Sequence, residues 1–243
     1  MSPLSLIFGA VVGLSLGLTG GGGAIFAVPL LVYGLSLPTR EAVGISLAAV
    51  GTTSLVGFVN RWRLGQVEIR TGLLFAAAGM IGAPIGSMIA GLLPEALLLS
   101  LFAGLMVVVA VRLWQQASRP KTEAAVATCA ITDHQDGPTC RRDATGALIL
   151  NSRCAVLLLM VGVLTGILSG MFGVGGGFVI VPALVLFSGM SIHRAVGTSL
   201  MVIALVSVSG VASHLWAGRV ISPEITGLFV LGGVAGLFAG QWI

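Results

Sequence analysis

The sequence predicts an all-α integral membrane protein: a polytopic helical bundle of two internal repeats, with about seven to eight transmembrane helices, helices 1 and 5 being broken by glycine. Three observations predict it. Hydrophobic residues make up 56% of the 243 and charged residues 8%, against roughly 25% charged in a soluble domain, so the chain has no charged shell to present to water. About seven apolar stretches reach the ~20 residues that a spanning helix needs. A glycine-rich motif ending in proline occurs twice, in register with the sequence that follows it.

In order, the apolar spans cover about Leu4–Leu37, Ala42–Asn60, Thr71–Leu93 and Glu95–Trp114, then, after a polar segment, Ala155–Met190, Ala195–Trp216 and Glu224 to the end. They divide the chain into a first transmembrane repeat (1–114), a polar cytoplasmic linker (115–153) and a second transmembrane repeat (154–243). Trp62, Trp114, Trp216 and Trp242 fall near span ends, which suits rings held at the headgroup level. The N-terminus lacks a basic stretch and a small-residue cleavage site, so it reads as the first membrane segment. Three cysteines (Cys129, Cys140, Cys154) make no disulfide framework.

The repeat is read from residues that chance likeness between apolar stretches would not match. Gly20-Gly21-Gly22-Gly23-Ala24 through Val28-Pro29-Leu30-Leu31-Val32 answers Gly173-Val174-Gly175-Gly176-Gly177 through Val181-Pro182-Ala183-Leu184-Val185. Ala42-Val43-Gly44-Ile45-Ser46-Leu47 answers Ala195-Val196-Gly197-Thr198-Ser199-Leu200, and Gly65-Gln66-Val67 answers Gly218-Arg219-Val220, all at one fixed spacing. Gly79, Gly82 and Gly86 answer Gly233, Gly236 and Gly240. The fourth span has no partner before Ile243, so the repeat predicts an eighth span. Duplication of this kind is common in secondary transporters.

Basic residues orient a membrane protein. Arg61, Arg63 and Arg70 follow the second span, and Arg112, Arg119, Lys121, Arg141, Arg142 and Arg153 mark the central segment, so both regions are expected in the cytoplasm. Arg219 agrees if the fifth span crosses fully, whereas Arg40 and His193-Arg194 would then lie outside. Full crossings of spans 1 and 5 fit the charges better. The alternative, re-entrant hairpins, would give each repeat three crossings and invert one repeat against the other.

Four consecutive glycines cannot make a good helix interior, each costing about 1 kcal/mol relative to Ala. In lipid an unwound backbone is tolerated only against protein or a water-filled cavity. Span 1 is therefore expected to break mid-way, with a second half-helix starting near Ala24 and offering free N–H groups and a positive dipole end to an anion. Gly173, Gly175, Gly176, Gly177 and Phe178 repeat the device. Pro29 and Pro182 read as structural kinks, and close helix packing through small residues would produce the same pattern without a site.

Hydroxyl residues line the neighbouring spans: Ser46, Thr52, Thr53 and Ser54 in one, Thr198, Ser199, Ser207 and Ser209 in the other. The expected substrate pairs are Thr52-Thr53 and Thr198-Ser199, with Ser46, although such hydroxyls can also satisfy themselves on their own helix. Arg40, His193 and Arg194 stand just before spans 2 and 6, where they could attract an anion; otherwise they are interface anchors. His214 is a candidate proton carrier or an ordinary helix-end residue. Cys129, His134, Asp136 and Cys140 match no familiar metal pattern, and no catalytic triad, HExxH or nucleotide-binding loop occurs. The reading is of a non-enzyme without metal or cofactor, and the net charge of +4, placed in loops, is no nucleic-acid signature.

The doubled glycine-rich stretch ending at Pro29 and Pro182, each followed by Ala-Val-Gly-x-Ser-Leu, resembles the TauE/SafE sulfite exporter family, also called the toluene-sulfonate uptake permease family. The resemblance covers nearly the whole chain outside 115–153. It implies a prokaryotic inner-membrane, multi-pass secondary transporter of about eight helices, moving sulfite, sulfonates or related organosulfur acids. The anion would sit between the broken helices on backbone N–H groups of Gly21 to Ala24 and of Gly175 to Phe178, with Gly20 and Gly173 also among the site residues. Its partners would be that oxyanion, the lipid bilayer and, by analogy alone, protons. The competing reading is a non-transporting membrane scaffold or assembly factor.

Overall fold

The computed structural model describes residues 2–117, 152–173, 175–188, 190–218 and 222–242, and every regular element among them is helical. The linker of 115–153, with its Cys129, His134, Asp136 and Cys140, lies almost wholly outside the described residues, as does Arg219. Helix α1 is Ser2–Thr19; the chain then breaks and returns through a 3-10 turn (Gly22–Phe26), one α turn (Ala27–Pro29) and a π turn (Leu30–Gly34). Next come α2 (Thr39–Arg63), α3 (Ile69–Leu92) and α4 (Glu95–Ala117). Beyond the linker are α5 (Ser152–Phe172), a second break, α6 (Gly177–Ser188), α7 (Ile192–Trp216) and α8 (Pro223–Trp242).

Local chemistry sets these limits. Pro38 stands at the start of α2 and cannot extend a helix backwards. Glu41 in its first turn and Arg61 and Arg63 in its last complement the helix dipole. Its 25 residues rise about 37 Å, enough for a hydrocarbon core of ~30 Å. By length and composition α2, α3, α7 and α8 can each cross a membrane. The apolar stretches of α2 and α7 are 67% and 72% buried, against 50% in α3 and 33% in α8, so α2 and α7 form the centre. Ile81, Leu92, Trp216, Leu231 and Trp242 remain exposed, as side chains facing lipid do.

Glycine contacts give each helix its direction. A Cβ on Gly9, Gly13 or Gly17 of α1 would lie 2.2, 1.9 or 2.6 Å from the carbonyl oxygens of Phe229, Gly233 and Leu237. The two helices therefore touch backbone to backbone and run parallel. Gly162, Gly166 and Gly170 of α5 meet the carbonyls of Phe75, Gly79 and Ala83 of α3 in the same way, at 2.9, 2.2 and 2.0 Å. Such approaches are open only to glycine, and they let backbones pack closely where no hydrophobic effect drives association. α2 runs with α8, since Thr53 abuts Gly233 and Asn60 Nδ2 donates to Gln241 Oε1 at 2.6 Å. α3 runs with α7, since Gly72 meets Thr198 and Met201 and Ser87 and Ser213 share a hydrogen bond of 2.5 Å. α2 and α7 run oppositely: Leu47 faces Gly210, Gly51 faces Ser207 and Gly57 faces Leu200. Thus α1, α2 and α8 point one way and α3, α5 and α7 the other.

This geometry corrects the reading of spans 1 and 5 as single crossings. Gly23 packs over Ser15 and Leu16, and Gly34 over the Phe8 ring, so 22–34 folds back along α1. Gly176 likewise lies against Thr165 and Ser169 of α5. The charge argument failed because it assumed the wrong number of crossings. In the folded chain Arg61, Arg63, Arg70, His193 and Arg194 all stand at one end of the bundle, and Arg40 at the other, where Nη2 donates to Gly91 O at 3.3 Å. The first return also begins at Gly22, as a 3-10 turn, rather than near Ala24.

The backbone contact of α1 with α8 predicts an asymmetric response to a single methyl. Gly13→Ala should lower stability by about 1–3 kcal/mol through overpacking, whereas Gly104→Ala in α4, which meets nothing within 4 Å, should be neutral or stabilising by up to about 1 kcal/mol. Thermal unfolding of both variants in one detergent measures the difference.

Candidate functional site

Each break opens on a glycine that ends a helix in the left-handed region, Gly20 at φ +72° and Gly173 at φ +70°. Their N–H groups donate to Leu16 O and Ser169 O, each at 2.8 Å, the usual way of closing a helix with glycine. Their own carbonyls then point out of the helix and need donors. Ser199 Oγ of α7 donates to Gly20 O at 2.7 Å, and Ser46 Oγ of α2 donates to Gly173 O at 2.6 Å. Both serines are fully buried, and each acts on the break belonging to the other half of the chain. Val196 packs on Gly20 and Val43 on Gly173.

The two breaks touch. A Cβ on Gly21 would lie 2.7 Å from the Gly177 Cα, and one on Gly177 would lie 2.6 Å from the Gly21 Cα. Gly175 and Gly176 continue the second break at φ +69° each, and α6 starts at Gly177, with Ile180 N–H donating to Gly176 O at 3.1 Å. The first-turn N–H groups of Gly177 and Phe178 have no acceptor within their own helix. Ala24 in the opposite break is fully buried.

The other predicted residues divide. Thr52 is exposed and donates to Ala48 O and Ala49 O of its own helix at 2.8 and 3.0 Å. Thr53 donates to Ala49 O at 2.8 Å and packs on Gly233. The expected Thr52-Thr53 pair is therefore not brought to the breaks. Thr198 Oγ1 accepts from Glu68 N–H at 3.0 Å, tying α7 to the entry of α3. Pro29 closes the α turn of the first return, and Pro182 lies inside α6. Arg40 stands one turn before Val43, and His193 and Arg194 one turn before Val196, so these cations flank the break ends without entering them. His214 is buried at the other end of α7, its Nε2 3.1 Å from Arg40 O.

Three hydroxyls matter more than their place in the sequence suggested. Ser54, Ser169 and Ser207 are each no more than 1% exposed, and none has a hydrogen-bond partner. Leaving a hydroxyl buried and unpaired costs about 1–3 kcal/mol. The buried Thr53 avoids it by bonding its own helix. Ser207 Oγ lies 3.9 Å from where a Cβ on Gly175 would stand, and the Ser169 Cβ lies 3.7 Å from that place on Gly176. Ser54 and Ser207 sit eight residues beyond Ser46 and Ser199, on the same helix faces; that spacing was the signal that could have singled them out. Among the described residues no group of three or more His, Cys, Asp or Glu side chains comes together.

The profile of the sulfite exporter TauE/SafE family matches residues 5–243. The chain belongs to the TauE/SafE family. Among its relatives, a probable membrane transporter protein of Xylella fastidiosa is 34% identical over 233 residues, 94% of this chain and 79% of its own length. One of Bacillus subtilis is 29% identical over 210 residues, 86% of this chain and 77% of its own. One of Methanocaldococcus jannaschii is 28% identical over 221 residues, 88% and 73%. No solved structure matches the chain. This TauE/SafE chain is thus a multi-pass prokaryotic membrane protein of a transporter family, and its two glycine breaks lie inside the matched region.

Replacing Ser46 or Ser199 by Ala strands one helix-end carbonyl in the centre of the bundle. Each should cost about 1–3 kcal/mol, and by similar amounts, while Thr52→Ala should stay within about 0.5 kcal/mol. Urea or thermal unfolding in detergent distinguishes the two classes.

Proposed function

We propose that the protein is a secondary carrier for small sulfur-containing anions, sulfite, sulfonates or related organosulfur acids, and that it catalyses no reaction. The single observation behind this is the contact of the two breaks at Gly21 and Gly177, with Ser199 and Ser46 each bonded to the break of the opposite half. Unwound backbone is costly in a membrane and is kept where it faces protein or a cavity, and paired broken helices meet at the sites of many carriers. The anion would lie on N–H groups of Gly21 to Ala24 and of Gly175 to Phe178, between α2 and α7.

The chain is read as two repeats, 1–114 and 154–243, joined by 115–153 and inverted in the membrane. Supporting this, α1 and α5, α2 and α7, and α3 and α8, matched by the sequence repeat, run in opposite directions. Positive residues favour the cytoplasmic side, so the end holding Arg61, Arg63, Arg70, His193 and Arg194 is assigned to the cytoplasm. Proton coupling is the simplest drive for such a carrier and would show as a response to a pH gradient.

The test is uptake of labelled sulfite into proteoliposomes holding the protein, with and without a pH gradient. Saturable uptake, competed by sulfonates, is expected. Gly175→Leu should abolish it, because Gly175 is at φ +69° and a Cβ there already lies 2.9 Å from Ile203 Cγ2; Gly22→Leu should do the same. Normal uptake by both variants at normal expression would remove the break from the site, and no uptake by folded wild-type protein would favour a scaffold.

A further inference from the structure

The charge of the site can be read from what surrounds it. Segments 2–32 and 156–188, which build both hairpins around the breaks, contain no ionisable side chain. On α2 the ionisable groups are Arg40, Glu41, Arg61 and Arg63, and on α7 His193, Arg194 and His214, all within the terminal turns. Around Gly175 stand Val50, Ile203 and Ser207. Donors at this level are therefore neutral: backbone N–H groups and hydroxyls, with the start of the 12-residue α6 adding about half an elementary charge. Ser207 is 1% exposed, has no partner, and its Oγ lies 3.3 Å from the Cβ place of Gly51 and 3.9 Å from that of Gly175. Glycine on both sides means that no side chain stands between that buried hydroxyl and the backbone of the second break.

Desolvation of an ion grows with the square of its charge, and a low-dielectric site repays it only with matching countercharge. Neutral donors and a fractional dipole come far nearer to offsetting one negative charge than two. Hydrogensulfite and alkyl or aryl sulfonates carry one; sulfite itself and sulfate carry two. We infer that the site between the breaks takes its substrate as a monovalent sulfur oxyanion, hydrogensulfite or a sulfonate, with Ser207 Oγ as one of its donors. This rests on the transport reading and narrows its substrate.

The test compares labelled sulfite with labelled methanesulfonate in proteoliposomes of the full chain, with internal pH fixed and external pH stepped from mildly acid to mildly alkaline. Above the pH at which hydrogensulfite ionises, the half-saturation in total sulfite should climb about tenfold per pH unit, because only the competent fraction binds. Methanesulfonate, singly charged throughout, should show no such climb, and sulfate should not compete. A sulfite half-saturation that moves no more than that of methanesulfonate would overturn the inference, as would competition by sulfate on a par with sulfonate. If both anions shift together, the titrating group belongs to the protein or its coupling, and the inference falls. Ser207→Ala should raise the half-saturation for both anions about tenfold, the loss of one hydrogen bond to a charged group. Ser209→Ala, whose Oγ donates instead to Met80 O, should change neither. Unchanged half-saturation in Ser207→Ala would remove Ser207 from the site. Failure of wild-type protein to take up any sulfur oxyanion strikes the transport reading itself, whereas sulfonate uptake with pH-independent sulfite uptake strikes the monovalent inference alone.

Discussion

Every helix that stops inside a membrane leaves carbonyl and N–H groups that lipid cannot satisfy, and the arrangement of this protein follows from how two such stops are satisfied. α1 and α5 each end on a left-handed glycine whose carbonyl would be stranded. Ser199 and Ser46 supply the donors from α7 and α2. Because each serine belongs to the half opposite the break it serves, neither break has its helix-end carbonyl satisfied by a side chain of its own half. That reciprocity brings α2 and α7 together as the central antiparallel pair and leaves the other helices to pack around them.

The second constraint is distance. α1 reaches α8, and α5 reaches α3, only because glycine recurs every third or fourth residue on both partners and removes the Cβ atoms that would hold the backbones apart. The same residue type therefore performs two separate tasks. Spaced in fours along a helix, as in Gly9, Gly13 and Gly17, it provides a packing groove. Bunched, as in Gly20 to Gly23 or Gly173 to Gly177, it ends a helix and exposes backbone.

The sequence displays these two uses plainly, since clustering and four-residue spacing are visible without coordinates. It also exposes Ser46 and Ser199, because they recur at one fixed interval. Helix direction was not legible. The return of 22–34 along α1 is decided by contacts such as Gly34 on Phe8, and an apolar stretch from Leu4 to Leu37 is equally compatible with a long crossing and a hairpin. Nor was the rotation of α2 legible. Its apolar residues lie all round, as expected of a helix buried by neighbours on most sides, so no polar stripe tells which of Thr52, Thr53 and Ser54 faces inward. Residues two apart on a helix point about 200° apart, and here that angle separates the exposed Thr52 from the buried, unpaired Ser54.

The exchange of partners also bears on which parts can move as bodies. The halves of the sequence are not the packed units. α1 shares backbone contact with α8, and α5 with α3, while Asn60–Gln241 and Ser87–Ser213 tie α2 to α8 and α7 to α3 near the bundle ends. Rocking one sequence half against the other would part both glycine grooves at once, where contact is tightest. The surface that joins α1, α2 and α8 to α3, α5 and α7 is instead the α2–α7 seam, made of side chains such as Leu47 on Gly210 and Leu200 on Gly57, together with the two serine bonds and the touching breaks. Side-chain contacts of that kind repack at far lower cost than backbone locked on backbone. A movement along the seam alters the breaks directly, since Ser46 and Ser199 ride on its two helices, so displacement along the seam and the geometry of the two breaks are coupled by the same two hydrogen bonds.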